Sequence, residues 1–273
     1  MVRNLNKILL IFLLFFGITY AETITLAVLS SGKPVEEYKR YKNLSKYLSK
    51  ELDIPVEIVI VGKVKELFQL YEDKHVDISI TCPVVYFELK DRKNIEAAAV
   101  IKINGKIKES GVIVVRKDSN IKTIQDLRDK KLTLGSSICA SNCVMPLYVL
   151  SKEGITYRDI PDLWSSGSDR AAILAVIAGI ADAAGVKEES ALQFKDKGIR
   201  ILTKSPYVPR YVVNVSKDLP PELYKKIVNV FYNLKDEETL KRLKIDGFEK
   251  PPKDLFDILK DYKSILKRYP MLQ

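Results

Sequence analysis

Two cysteines stand four residues apart in "SSICASNCVMP", residues 136 to 146, between a short Gly-ended apolar run and an apolar stretch of helical character. A turn of small polar residues leading from a strand into a helix is a natural seat for an anion. The first amides of a helix lack partners and carry the positive end of its dipole. Ser136, Ser137, Ser141 and Asn142 supply hydroxyl and amide groups for such a seat, and Cys139 and Cys143 add two thiols one helical turn apart. The third cysteine, Cys82, stands beside Thr81 at the end of the apolar run "VDISIT". Three chemistries are open to these sulfurs. Cys82, Cys139 and Cys143 together suit a thiophilic centre such as trivalent arsenic, with zinc a poorer occupant for want of a fourth ligand. A disulfide of Cys139 with Cys143, or of Cys82 with either, suits an oxidising compartment. Plain burial suits a small apolar side chain.

Other chemical groupings are sparse. No nucleophile and base at a characteristic spacing, no P-loop and no GxGxxG run occurs, so neither an enzyme nor a cofactor is expected. His75, the one histidine, lies in the charged stretch "EDKHVD" and reads as a surface residue. Glu188 and Glu189 read as a solvated helix start and Asp182 as a structural position, while Tyr207 and Arg210 in "KSPYVPRY" suit either ligand contact or a hinge. The 45 basic and 35 acidic residues give a net charge of +10, but they are interleaved, as in "KDEETLKRLK" and "VKEESALQFKDK". Interleaving describes a solvated surface, and a nucleic-acid partner is not expected.

The elements that position these groups alternate along the chain. Arg3 and Lys7 precede the apolar run "ILLIFLLFFGI", and small residues follow to Ala21, the pattern of a cleaved secretory signal covering residues 1 to 21. About 250 residues remain from Glu22, enough for two domains. "TITLAVL", "VEIVIV" and "VDISIT" read as strands, separated by the helices "VEEYKRYKNLSKYLSKEL" and "KVKELFQLYED". The first helix carries Val35, Tyr38, Tyr41, Leu44, Leu48 and Leu52 at three-and-four spacing. A second series follows: the strand "GVIVVRKD", the helix "TIQDLRD", the strand "KLTLGS" and a helix from about Asn142. Ser168 then caps a helix that Gly179 ends, ahead of the strand "ADAAGV". The last third, from "DLPPELYKKIVNVFYNL" onward, reads as helical, and strands separated by helices imply α/β sheets with parallel pairing.

Four stretches together resemble one family: "YKNLSKYLSKELDIPVEIV", "GVIVVRKDSNIKTIQDLRDKKLTLGS", "GSDRAAILAVIAGIADAAGV" and "KSPYVPRYVVNVSKDLPPEL". In that order they are similar to the periplasmic solute-binding proteins of ABC transporters for phosphate, phosphite and phosphonate, in the phosphonate branch. The resemblance implies a two-lobe type II periplasmic-binding-protein fold, with parallel-rich sheets, flanking helices and two crossover strands. Lobe 1 would be residues 22 to 108 plus 206 to 273, and lobe 2 residues 109 to 205. The ligand would be a small oxyanion held between the lobes by Thr81, Cys82, Ser136, Ser137, Cys139, Ser141, Asn142, Cys143, Ser168 and Tyr207. The family's Ser/Thr-rich turn falls at Cys139 to Asn142, where Ser141 alone keeps a hydroxyl, and its cleft histidine falls at Ser168. Arsenite-sensing periplasmic proteins resemble the same family, so an arsenite-type oxyanion held by the cysteines is a second expectation. A periplasmic monomer is expected to serve a transporter permease or, alternatively, a sensor histidine kinase.

Overall fold

Short β-branched runs flanked by amphipathic helices fold here into two mixed sheets, one in each lobe. The computed structural model describes residues 23–30 and 34–270. The signal expected over residues 1 to 21 lies outside these, and no described helix is long and apolar enough to cross a membrane. In chain order the first lobe contributes β1 (Ile24–Leu29), α1 (Pro34–Leu52), β2 (Val56–Val61), α2 (Val64–Glu72), β3 (Ile78–Thr81), α3 (Pro83–Lys90) and β4 (Ile95–Lys102). The chain then enters the second lobe with β5 (Lys108–Arg116), β6 (Leu132–Leu134), a π-helical turn (Ala140–Val144) continuous with α4 (Met145–Lys152), and β7 (Leu163–Ser165). That lobe continues with α5 (Asp169–Ile177), β8 (Ala183–Lys187), α6 (Glu188–Leu192) and β9 (Ile199–Pro209). The return brings β10 (Val212–Ser216), α7 (Pro221–Tyr232), α8 (Glu237–Leu243), β11 (Gly247–Glu249) and α9 (Tyr262–Lys267).

The strand order is β11-β4-β10-β3-β1-β2 in the first sheet and β7-β6-β8-β5-β9 in the second. Pairing is parallel only among β1, β2 and β3 and among β6, β7 and β8. The strands next to the crossovers pair antiparallel, β10 with β3 and β4, and β5 with β8 and β9. The sheets are therefore mixed, not parallel-rich. A chain that leaves one lobe and returns to it must run back against the strands it left. The two crossings lie side by side, since Ile101 N–H donates to Tyr211 O at 3.0 Å and Arg210 N–H to Ile107 O at 2.9 Å.

Local signals explain much of this. Ser168 caps α5 by accepting from Ala171 N–H at 3.2 Å, and Gly179 with φ 73° stops the chain just beyond it. The apolar stripe of α1 is narrower than its spacing implies. Tyr41, Leu44, Leu48 and Leu52 are buried, whereas Val35 and Tyr38 are 65% and 44% exposed. "TIQDLRD" forms only a 3-10 turn over Gln125–Leu127, with Asp126 accepting from Lys122 N–H and Thr123 N–H at 2.8 Å. An Asp carboxylate that satisfies local amides competes with a continuing helix.

The C-terminal segment packs against helices of both sheets. Leu255, Leu259, Tyr262, Ile265 and Tyr269 are buried in one apolar cluster with Leu147 and Leu150 of α4. On its other side Phe256 stacks 5.1 Å from Tyr86, and Tyr262 lies 5.8 Å from Phe87, both rings on α3. The segment thus straps the lobes together. Its last anchor is Tyr269, fully buried, whose hydroxyl donates to Ile155 O at 2.7 Å. Tyr269→Phe is expected to cost about 1 kcal/mol through that bond and Tyr269→Ala about 3–5 kcal/mol through the cavity as well, read from urea-unfolding curves. Parental stability in Tyr269→Ala would show that the strap does not hold the second lobe.

Candidate functional site

A cleft of about 1000 Å³ opens where the carboxyl ends of the parallel strands of both sheets meet, at the top of the size range of small-molecule sites. From the first lobe it is lined by Ser30 after β1, Lys63 after β2, Cys82 after β3, and Arg40 and Tyr41 of α1. From the second come Ser136, Ser137, Cys139 and Asn142 after β6, Ser168 and Asp169 after β7, and Lys187 at the end of β8. Ile101, Ile103, Leu243, Ile245 and Phe248 form an apolar wall on one side.

At the floor lies a buried charge cluster. Glu109, at the start of β5, accepts from Ser141 Oγ at 2.5 Å and pairs with Lys187 Nζ at 3.1 Å and Arg210 Nη1 at 3.1 Å. Arg210 sits on the return crossing, pairs also with Glu189, and donates through Nε to Lys106 O on the outgoing crossing at 3.1 Å. Burial alone would lower the pKa of Lys187, but Glu109, backed by Cys139 and Asp169, holds the ammonium above its ordinary value. The Lys187 ammonium also lies 4.8 Å from the Tyr211 ring centroid.

The second-lobe wall is equally specified. After β6 the chain turns at Ser136, whose Oγ accepts from Ile138 N–H at 3.2 Å and Cys139 N–H at 3.1 Å, leaving its own O–H to donate. The helix then opens with a wide turn, Val144 N–H bonding Cys139 O at 3.1 Å across five residues, a form frequent at functional sites. Pro146, which has no N–H to give to a preceding turn, follows directly. Asn142 Nδ2 donates to Asp169 Oδ1 at 2.7 Å, and Ser190 Oγ donates to Asp169 Oδ2 at 2.6 Å. Gly135 makes room for this pair, since a Cβ there would fall 2.0 Å from Asp169 Oδ1.

Of the residues picked out in the sequence, Cys82, Ser136, Ser137, Cys139, Asn142 and Ser168 line the cleft. Thr81, Ser141, Cys143 and Tyr207 do not. Thr81 is fully buried and accepts from Asn214 Nδ2 at 2.8 Å, because strand alternation turns it into the sheet interior. Ser141 spends its hydroxyl on Glu109. Cys143 is fully buried in the core. Tyr207 is 48% exposed and its hydroxyl accepts from Lys204 Nζ at 3.0 Å. Arg40, Lys63, Glu109 and Lys187 were not singled out. Each stands at a different point of the chain in ordinary charged sequence, and only the fold brings them together. Glu189 and Arg210, read as a solvated helix start and as a hinge or ligand residue, meet in one ion pair.

All three cysteines are free and buried. Among the described residues no three Cys, His, Asp or Glu side chains gather to hold a metal ion, so the expected trio of Cys82, Cys139 and Cys143 does not assemble as a three-thiol site. Cys82 and Cys139, one from each lobe, do approach within hydrogen-bonding reach, and Cys139 Sγ lies 3.7 Å from Tyr211 Oη. The bond from Cys139 lowers the pKa of Cys82 against the penalty of burial, helped by Val84 and Val85 N–H at the start of α3. That shared bond, with burial, raises Cys139 correspondingly, and burial raises Cys143.

A family model for the periplasmic substrate-binding protein of phosphonate ABC transporters matches residues 26–256. The chain belongs to that family, whose members are periplasmic substrate-binding proteins, not enzymes. Solved structures bear out the type II fold. A binding-protein component of an ABC phosphonate transporter from Pseudomonas aeruginosa superposes with a TM-score of 0.76 at 17% identity, over 92% of this chain and 89% of that one. PhnD1 from Prochlorococcus marinus, solved in complex with methylphosphonate, gives 0.78 at 20% identity over 91% and 99%. The periplasmic aliphatic sulphonate-binding protein SsuA from Escherichia coli gives 0.63 at 13% identity over 92% and 94%.

Two outcomes follow from this geometry. Arg210→Met leaves Glu109 buried without its guanidinium and is expected to cost about 3–5 kcal/mol in chemical unfolding. Adding Glu109→Gln should restore part of it, and strict additivity of the two changes would mean that the residues are not coupled. In the native protein, iodoacetamide should label Cys82 and Cys139, which line the cleft, ahead of Cys143, which should react only after unfolding, as read by peptide mass spectrometry. Labelling of Cys143 at the rate of Cys82 would contradict the burial described.

Proposed function

We propose that the protein captures a small tetrahedral oxyanion of the phosphate, phosphite and phosphonate class in this cleft and presents it to the permease of an ABC transporter. The observation that carries the reading is the shared lining. Serine hydroxyls and an amide at two helix starts, Ser136, Ser137, Asn142 and Ser168, border the same cleft as Arg40 and Lys63 from the other lobe. Cys82 and Cys139 complete the contact surface. Membership of a transporter family supports a permease over a sensor kinase as the partner. An exported protein acting in the periplasm fits the same membership and the charged, apolar and small-residue pattern of residues 1 to 21.

The lobes are residues 22 to 108 with 206 to 273, and residues 109 to 205, the C-terminal strap lying on both. Ligand bridging the two walls stabilises a closed arrangement about the paired crossings near Ser110 and Pro206, as binding to one of two states does. The arsenite reading is weakened by the exclusion of Cys143 from the lining and the lack of a three-thiol cluster.

Titration calorimetry of the reduced protein with methylphosphonate, phosphite, phosphate and arsenite tests this, with small-angle scattering on the saturated complex. A phosphorus oxyanion is expected to bind and to lower the radius of gyration. Binding of arsenite alone, abolished by Cys82→Ser, would replace this reading with a thiol site.

A further inference from the structure

Among the described residues, one buried polar atom of the cleft lining has no partner in the protein. Asn142 is 7% exposed and its Oδ1 receives no hydrogen bond, while the Nδ2 of the same amide is held by Asp169. The orientation of the amide is fixed by chemistry. A carboxylate only accepts, so the nitrogen must face Asp169 and the oxygen must face away from it. Ser190 occupies the other oxygen of Asp169, which leaves that carboxylate no slack to rotate and take a different partner. A buried acceptor without a donor costs about 1–3 kcal/mol, and its place in a cleft lining marks where a ligand brings the missing proton.

The donor class follows from the neighbours. An ammonium group on a ligand calls for a carboxylate, yet the three in the lining are committed: Asp169 to Asn142 and Ser190, Glu109 to Ser141, Lys187 and Arg210, and Glu37 to Arg40 at 3.6 Å. A neutral amide oxygen fits a neutral O–H. We infer that Asn142 is a specificity residue that reads the proton of a monoprotonated oxyanion, accepting its O–H at Oδ1 and rejecting tetrahedral anions that carry no proton. The inference rests on the proposed oxyanion function and narrows it to acids that retain an O–H. A fully deprotonated oxygen at that position would set two acceptors against each other.

Methylphosphonate and methanesulfonate separate these cases. In mildly acidic buffer both are monoanions of nearly the same shape, and only the phosphonate keeps an O–H. Calorimetry on the wild-type protein is expected to show methylphosphonate binding roughly tenfold or more tightly, the scale of one buried hydrogen bond gained against one repulsive contact. Asn142→Ala should bring the ratio close to one, chiefly by weakening methylphosphonate. Asn142→Ser, whose hydroxyl donates as well as accepts, should move the ratio in the same direction and serves if the alanine variant does not fold. Equal affinities in the wild type, or an undiminished ratio in a folded variant, would overturn the role of Asn142 while leaving oxyanion binding intact. Failure of both anions and of the other phosphorus oxyanions to bind the wild type would remove the oxyanion reading, and this one with it.

Discussion

The buried carboxylate of Glu109 is the constraint around which the rest is arranged. Its two oxygens are shared by Ser141 from the π-helical turn, Lys187 from the end of β8 and Arg210 from the return crossing. A buried charge is tolerated only when its partners stay in place, so these elements cannot shift independently. Arg210 extends the linkage to Glu189 and to Lys106 O on the other crossing. The hinge, the wall of the cleft and the start of α6 are thereby one electrostatic unit. This also divides the polar groups of the cleft into those committed to the protein and those left for a ligand.

The thiols sit on the seam between the lobes. Cys82 and Cys139 are the residues just before the first turns of their helices, one in each lobe, and they meet across the cleft. A cysteine there is small enough for close approach and makes only weak hydrogen bonds, so it interrupts the anion seat without disturbing the turn. Cys143, four residues on, is fully buried and does not line the cleft, so its sulfur serves as an apolar packer. One motif therefore splits into two roles, and access to the cleft is what divides them.

Phosphonate- and sulphonate-binding proteins superpose on this chain with the same two-lobe fold. The fold supplies a hinge, a cleft and strand ends that aim helix starts at it, and none of these distinguishes one tetrahedral anion from another. Discrimination rests with the lining. Here the lining holds serine hydroxyls and the unpartnered amide oxygen of Asn142, the combination on which the proposed separation of anions by the hydrogen they carry rests.

Periodicity and capping in the sequence determined most elements of both lobes: β1, β2 and β3 as apolar β-branched runs, α1 and α2 by helical spacing, and α5 by Ser168 and Gly179. That the turn at residues 136 to 142 borders the cleft was legible too, because small polar residues between a strand and a helix mark a strand end of this kind. Strands β4, β9 and β10 were not, since their partners lie far away in the chain and pair with them antiparallel. The C-terminal strap was hidden for a similar reason, as its aromatic and aliphatic faces look outward onto different lobes. Which hydroxyl borders the cleft was decided by tertiary structure alone. Ser136 and Ser141 are the same residue type five positions apart, and only the packing of Glu109 beneath the turn commits Ser141 to the protein and leaves Ser136 to the cleft.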